Sequence, residues 1–212
     1  MYWVKTPFWL PATQSRYLTW KGPDAKAVYL TFDDGPHPTA TPFVLDELAK
    51  YGAKATFFCI GKNVAAYPEI YQRILDEGHT AGNHTQDHLN GWKTDTDAYI
   101  ENIVAAGKHI HSRLFRPPYG RIKRAQAALL AQSATPFKII MWDVLSGDFD
   151  VAISPEKCLQ NVIVSAAPRS IVVFHDSAKA WERMSYALPR ALQIFKEKGW
   201  RFEALSEPKT NS

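Results

Sequence analysis

The sequence predicts an α/β domain built on a parallel sheet, and three observations carry that expectation. Short β-branched and aromatic runs alternate with longer helical patterns from residue 28 onward, the arrangement that gives βα units with helices outside a sheet. The length, 212 residues, suits one large domain, and the ordinary balance of 46% hydrophobic and 22% charged residues excludes a disordered or fibrous chain. Acids and histidines directly follow several strand runs, as expected where functional groups gather at the C-terminal ends of parallel strands. A closed barrel and a doubly wound sheet both satisfy these observations.

The elements follow in order. Val28–Phe32 reads as a strand, followed by a helix near 40–51. Ala55–Ile60 is a second strand, with a helix through Arg73, Ile74 and Leu75 behind it. Asp95, Thr96 and Asp97 offer N-caps for a helix expected to run to about Leu114. Lys138–Trp142 is a strand, and Ser154-Pro155 opens the next helix with proline in its tolerated first turn. A strand at Ile171–Phe174, a helix from Trp181 to Lys198 and a strand at 200–202 complete the series. Residues 1–25 form an aromatic N-terminal extension expected to pack on the domain at 26–205, and 206–212 are a polar tail.

Composition narrows the function further. The net charge of +4 is spread without any Lys/Arg run, so a nucleic-acid partner is not expected. Cys59 and Cys158 lack CxxC spacing, which leaves no zinc ribbon or thioredoxin motif, and whether they pair is open. No apolar run approaches membrane-spanning length, and the N-terminus breaks at Pro7 and Pro11 before a secretory h-region develops. A soluble protein, cytoplasmic by default, is the expectation. The 13% aromatic content suits either core packing or stacking against sugar rings.

Several segments carry chemistry. Asp33-Asp34-Gly35-Pro36 sets two carboxylates at a strand end with turn residues after them. His84 and His88 are four apart, a spacing that would place both rings on one side of a helical turn. Such a pair arises by chance in about one comparable sequence in five, and it gains weight because Asp33 or Asp34 could add a carboxylate. Two His and one Asp with open positions is the donor set of a hydrolytic metal site. Arg116 precedes two prolines that rigidify its segment, Asp143, Asp148 and Asp150 lie just past a strand, and His175-Asp176 follows the most apolar run.

Thr31–Pro36, His84-Thr85-x-x-His88, Arg116–Gly120, Asp148-Phe149 and Val173–Asp176 resemble, in order and spacing, the motifs of the polysaccharide deacetylases, the NodB-homology carbohydrate esterases. The resemblance spans residues 26–205. It implies a distorted, incomplete (β/α)7-type barrel, a TIM-like fold. It also implies metal-dependent hydrolysis of N-acetyl groups on amino sugars of a peptidoglycan- or chitin-like glycan. By the same resemblance Asp34, His84 and His88 bind the metal, most readily Zn2+, with Co2+, Ni2+ or Mn2+ as substitutes. Asp33 is then the general base, oriented by Arg116, and His175 the general acid, supported by Asp148. The Tyr119 backbone N–H would stabilise the oxyanion, and Tyr119, Phe149 and Val173 would line the substrate site. Phe149 stands where the family often has Trp, and Val173 where it commonly has Leu.

Trp92 is a further candidate groove residue, and His37 could touch substrate or serve only its turn; His79, His109 and His111 are expected to have no catalytic role. Two other readings stand beside the leading one: an amidohydrolase acting on a small non-sugar amide, and a carbohydrate-binding protein without turnover. Glycan deacetylases generally work outside the cytoplasm, so the cell envelope is the alternative compartment. The oligomeric state is left open.

Overall fold

The computed structural model describes residues 2–14 and 16–208. The end of the expected polar tail, 209–212, lies outside the described residues, as do Met1 and Ser15 of the N-terminal extension. The chain begins with α1 (Leu10–Thr13), β1 (Leu18–Thr19), β2 (Ala27–Asp33), α2 (Ala40–Ala49) and β3 (Thr56–Cys59). It continues through α3 (Gly61–Ala66), α4 (Pro68–Asp76), β4 (Thr80–Asn83), α5 (Thr96–Ala106) and β5 (Leu114–Phe115). After a 3-10 turn at Pro118–Gly120 come α6 (Arg124–Gln132), β6 (Lys138–Ile140), β7 (Val144–Leu145) and α7 (Pro155–Ser165). The chain then forms β8 (Ile171–His175), α8 (Trp181–Glu197) and β9 (Arg201–Phe202).

The strands pair in parallel in the order β1-β6-β5-β4-β3-β2-β8-β7, with β9 added to β2. This path curves into an incomplete barrel, with β1 at one edge and β7 at the other. The β7 edge is covered by the N-terminal segment. Leu145 N donates to Val4 O and Thr6 N to Asp143 O, both at 2.8 Å, and Lys5 Nζ lies 2.5 Å from Asp143 Oδ2. Pairing of this kind removes the exposed ladder that makes an open strand edge prone to association.

Alternation along the strands divides the interior in two. Val28, Leu30 and Phe32 of β2 join Phe57 of β3 and Val172 and Phe174 of β8 in the core beneath α2, α7 and α8. Phe32 stacks on Phe57 and Phe174 with centroids 5.1 and 6.0 Å apart; burying each ring stabilises the fold by roughly 2–3 kcal/mol. Ala27, Tyr29, Phe58, Leu114, Ile140 and Ile171 form a second cluster on the opposite face. Thr31 and Asp33 of β2 and Val173 and His175 of β8 continue that inner face toward the C-terminal strand ends. The barrel is therefore apolar at depth and charged at its mouth.

Some expectations are corrected. The helix expected to reach Leu114 ends at Ala106, because Leu114 and Phe115 are needed as β5 between β4 and β6. The single helix expected after β3 is two, α3 and α4, divided where Pro68 starts a new first turn. The strand expected to reach Trp142 stops at Ile140. His84 and His88 share no helical turn: residues 84–90 are irregular, with Thr85 and His88 at φ 65° and 60°. Cys59 and Cys158 are buried free thiols.

Candidate active site

β2 ends on Asp33, whose side chain continues the inner face. Strand alternation would turn Asp34 away, but its φ of 82° departs from strand geometry and brings its carboxylate to the same mouth. The turn is pinned from three sides: Asn63 Nδ2 donates to Asp34 O at 2.7 Å, Ile60 N to Gly35 O at 3.0 Å, and Gly35 N to Asp176 Oδ1 at 3.1 Å. Five non-glycine residues among those described have positive φ, and four of them, Asp34, Thr85, His88 and Tyr119, lie at this mouth. Each such conformation costs on the order of 1 kcal/mol or more and persists where surrounding contacts enforce it, most often at functional sites.

His84 follows β4 and is buried; its Nδ1 lies 2.8 Å from Arg116 O. Donation to that carbonyl fixes the tautomer and leaves an Nε2 lone pair free. Burial pushes the His84 pKa down to about 4, so the ring is neutral near pH 7. The Nε2 atoms of His84 and His88 lie 3.7 and 3.1 Å from Asp34 Oδ1. That oxygen is buried without a hydrogen-bond partner. Burial alone would raise the Asp34 pKa, but the His88 contact and the charge of His175 outweigh it and hold the carboxyl well below its usual range. These three residues are the one His/Cys/Asp/Glu cluster among the described residues whose ligand atoms converge, all within 4.8 Å. A tetrahedral site with ligands at about 2.0 Å has edges of roughly 3.3 Å, so the donor set fits a small divalent cation.

Two further pairs flank this cluster. Arg116 is fully buried, lies 4.1 Å above the Phe58 ring, and donates from Nη1 to Asp33 Oδ1 and Thr31 Oγ1, both at 2.7 Å. Its Nε and Nη2 satisfy the carbonyls of Ile140 and Met141. Across the β2–β8 ladder, Asp33 is in register with His175. The His175 ring Nδ1 and backbone N each lie 2.7 Å from an oxygen of buried Asp148. Burial opposes charge on His175, yet Asp148, followed by Asp34 and Asp33, raises its pKa to about 10.

Aromatic side chains wall the mouth. The Tyr119 ring lies 4.6 Å from that of His88 and is 60% exposed. No backbone hydrogen bond among the described residues uses the Tyr119 N–H. On the other side Phe149 is half-buried, 5.3 Å from His175 and 5.1 Å from Tyr2, whose hydroxyl donates to Asp150. Val173 is buried on the inner face two residues before His175. The His37 Nδ1 accepts from the backbone N–H groups of Thr39 and Ala40 and so caps the entry to α2.

Comparison with known proteins identifies the family. The family model described as Polysaccharide deacetylase matches residues 21–137. A peptidoglycan-N-acetylglucosamine deacetylase of Bacillus cereus is 36% identical over 200 residues, covering 90% of this chain and 92% of that protein. The chain belongs to the polysaccharide deacetylase family. A chitooligosaccharide deacetylase of Bradyrhizobium is 33% identical over 167 residues, covering 76% of this chain and 75% of its own. The crystal structure of the Bc1960 peptidoglycan N-acetylglucosamine deacetylase superposes with a TM-score of 0.84 at 31% identity, covering 96% of this chain and all of that one. A family pseudoenzyme from Bacillus anthracis also superposes, with a TM-score of 0.75 at 25% identity over 90% of this chain and 68% of that one.

The sequence assigned no role of its own to one residue of this deacetylase. Asp176 is fully buried; its Oδ2 accepts from Thr41 Oγ1 while Oδ1 holds Gly35 N. Burial, augmented by the Asp34 charge, pushes its pKa up to about 8. Its only sequence signal was its place one residue beyond His175. A concavity of about 670 Å³ lies elsewhere, beside Thr80 at the start of β4, and is lined by Tyr71, His79, His109 and His111. Its histidines do not converge on a common point, and the candidate site lies at the opposite, C-terminal ends of the strands. No helix among the described residues is long and apolar enough to cross a membrane.

Proposed function

We propose that this deacetylase is a metal-dependent hydrolase that removes N-acetyl groups from amino sugars of a peptidoglycan- or chitin-like glycan. The observation that carries the reading is the convergence at one mouth of Asp34, His84 and His88 with the Asp33–Arg116 and His175–Asp148 pairs. Asp34, His84 and His88 hold the cation, Zn2+ by preference, with Co2+, Ni2+ or Mn2+ as substitutes. A divalent ion there supplies Lewis acidity that polarises an acyl carbonyl and acidifies water.

Asp33, oriented by Arg116, takes the proton of the water whose oxygen attacks the acetyl carbon. The Tyr119 N–H faces the developing oxyanion, where a preorganised donor is most effective. As the carbon–nitrogen bond breaks, His175 gives its proton to the nitrogen, so acetate and a free amino sugar leave. The double hold of Asp148 keeps His175 protonated and oriented for that step. Phe149, Tyr119 and Val173 shape the pocket around the sugar and its acetyl group.

The exposed Tyr119 and Trp92 rings favour an extended sugar chain over a small amide. A site holding both a base and a protonated acid favours turnover over simple carbohydrate binding. Acetate release from N-acetylated glycan oligomers, O-acetyl xylan and small amides, with metal content measured on the same sample, tests the reading. Release confined to the glycan oligomers, lost on chelation and restored by Zn2+ or Co2+, is expected; chelator-insensitive release would overturn the metal assignment.

A further inference from the structure

Beyond the mouth, the two loops that carry His88 and Tyr119 meet again. Trp92 is four residues past His88, and Arg121 is two past Tyr119. The Arg121 guanidinium lies 4.0 Å above the Trp92 ring. The indole is fixed, since its Nε1 donates to Ile122 O at 3.1 Å and the Trp92 backbone N donates to Asn90 Oδ1 at 3.0 Å. The loops are in close contact, because a Cβ on Gly91 would sit 2.4 Å from Arg121 O. Both side chains nonetheless face solvent, Trp92 at 56% exposure.

None of the ion pairs formed by the described residues uses Arg121, and the neighbouring exposed Lys93 and Arg124 are likewise without an acid partner. Of the cations in this stretch, Lys123 is engaged, donating to Thr94 O. A guanidinium stacked by its face keeps the N–H groups of its edge available, and that fork matches a carboxylate in two parallel hydrogen bonds. The stacking also reduces the side-chain entropy lost on pairing. An unpaired, preorganised arginine next to the Tyr119 wall is poorly explained by stability, since a surface cation of this kind contributes little to folding.

We propose that Arg121, held on Trp92, is a carboxylate-binding subsite beside the deacetylation centre, so that the preferred substrate is an acidic glycan. This rests on the N-deacetylase reading and refines it: the N-acetylated sugar being cleaved has a neighbour that carries a carboxylate. The carboxylate can be a lactyl ether on the next sugar or belong to a peptide attached to it, and a neutral chitin-type oligomer offers neither.

The test compares kcat/KM of the metal-loaded full chain on four probes: a neutral N-acetylglucosamine tetramer, an alternating tetramer with lactyl carboxylates, that tetramer with its carboxylates amidated, and its peptide-bearing form. The acidic tetramer is expected to exceed its amide by about fivefold, in line with an exposed charge pair, and the ratio to shrink with added salt. Arg121→Gln brings the ratio to about one, and Arg121→Lys keeps only part of it because the fork is lost. Lys196→Gln, the same charge change on an exposed position of α8, leaves the ratio intact. A preference seen only with the peptide-bearing probe assigns the carboxylate to the peptide, provided that it too disappears in Arg121→Gln. Turnover without discrimination, or discrimination that survives Arg121→Gln, overturns the subsite while leaving the deacetylase reading standing. Failure of every probe to release acetate removes both.

Discussion

Asp148 holds His175 twice, through the ring and through the backbone, each at 2.7 Å. The first contact charges the imidazole and the second fixes where it points. With the imidazolium as the proposed proton donor, activity is expected to fall as pH rises through the His175 pKa, which stands at about 10. Asp148→Asn removes the nearest negative charge, so the alkaline limb of kcat/KM should move down by about 1–2 pH units. The same raised pKa links to stability. Its contribution is fully present below the unfolded value of about 6.5 and is lost as pH climbs through about 10. Paired pH–rate profiles and thermal melts check both, and an unmoved alkaline limb would show that Asp148 does not set the donor.

The two adjacent aspartates separate by geometry. Asp34 faces the two Nε2 atoms, whereas Asp33 is engaged by Arg116. Asp33→Asn should therefore retain bound metal and lose at least about 100-fold in kcat, the scale of a general base. His84→Ala should lose both metal and activity, since it removes one of the three proposed ligands. Metal content by elemental analysis beside acetate release distinguishes them; metal loss in Asp33→Asn would mean that the aspartates' roles are exchanged.

Five strands were legible in the sequence: β2, β3 and β8 through their long apolar runs, since burial on both faces leaves few polar interruptions, and β6 and β9 through shorter runs at 138–142 and 200–202. β4 escaped notice because Thr80, Ala81, Gly82 and Asn83 have weak strand propensity; the strand is held by ladders to β3 and β5. Two-residue strands such as β5 and β7 are tertiary pairings with little local signal. At the site, Asp33, Asp34, His84, His88, Arg116, Asp148 and His175 were all marked by their place after apolar runs or in motifs. The reason offered for the histidine pair was wrong: Thr85 and His88 at positive φ bring the rings together, not a helical turn. Asp176 and the Arg121–Trp92 stack depend on contacts 141 and 29 residues apart in sequence respectively, beyond the reach of local pattern.

Gly35 tests the turn that presents both aspartates. A Cβ there would lie 2.0 Å from Asp176 Oδ2, and Asp176 is too deeply buried to swing aside. Gly35→Ala should destabilise the protein by about 2 kcal/mol and lower both metal affinity and kcat, because the displaced backbone carries Asp34. Gly52→Ala is the control: at φ 58° with open space around it, it should cost about 1 kcal/mol and leave activity unchanged. Equal effects of the two substitutions on activity would argue against a specific role for the Gly35–Asp176 contact.

Arg116 couples the site to the stability of the barrel. Its guanidinium is fully buried and meets one carboxylate, one hydroxyl and two carbonyls. Arg116→Met fills much of the volume but strands Asp33 as an unpaired buried charge, which should cost about 3 kcal/mol and roughly 10 °C in Tm. Asp33→Asn alone leaves the guanidinium without its counter-charge and should also destabilise. The double variant Asp33→Asn/Arg116→Met removes both charges, so its loss should be smaller than the sum of the single losses by at least about 1 kcal/mol. Activity should not recover in parallel, because the proposed proton acceptor is gone. A strictly additive cycle in chemical denaturation would show that the buried pair does not couple the two residues, and orientation of Asp33 would then have to come from Thr31 and the β2 backbone.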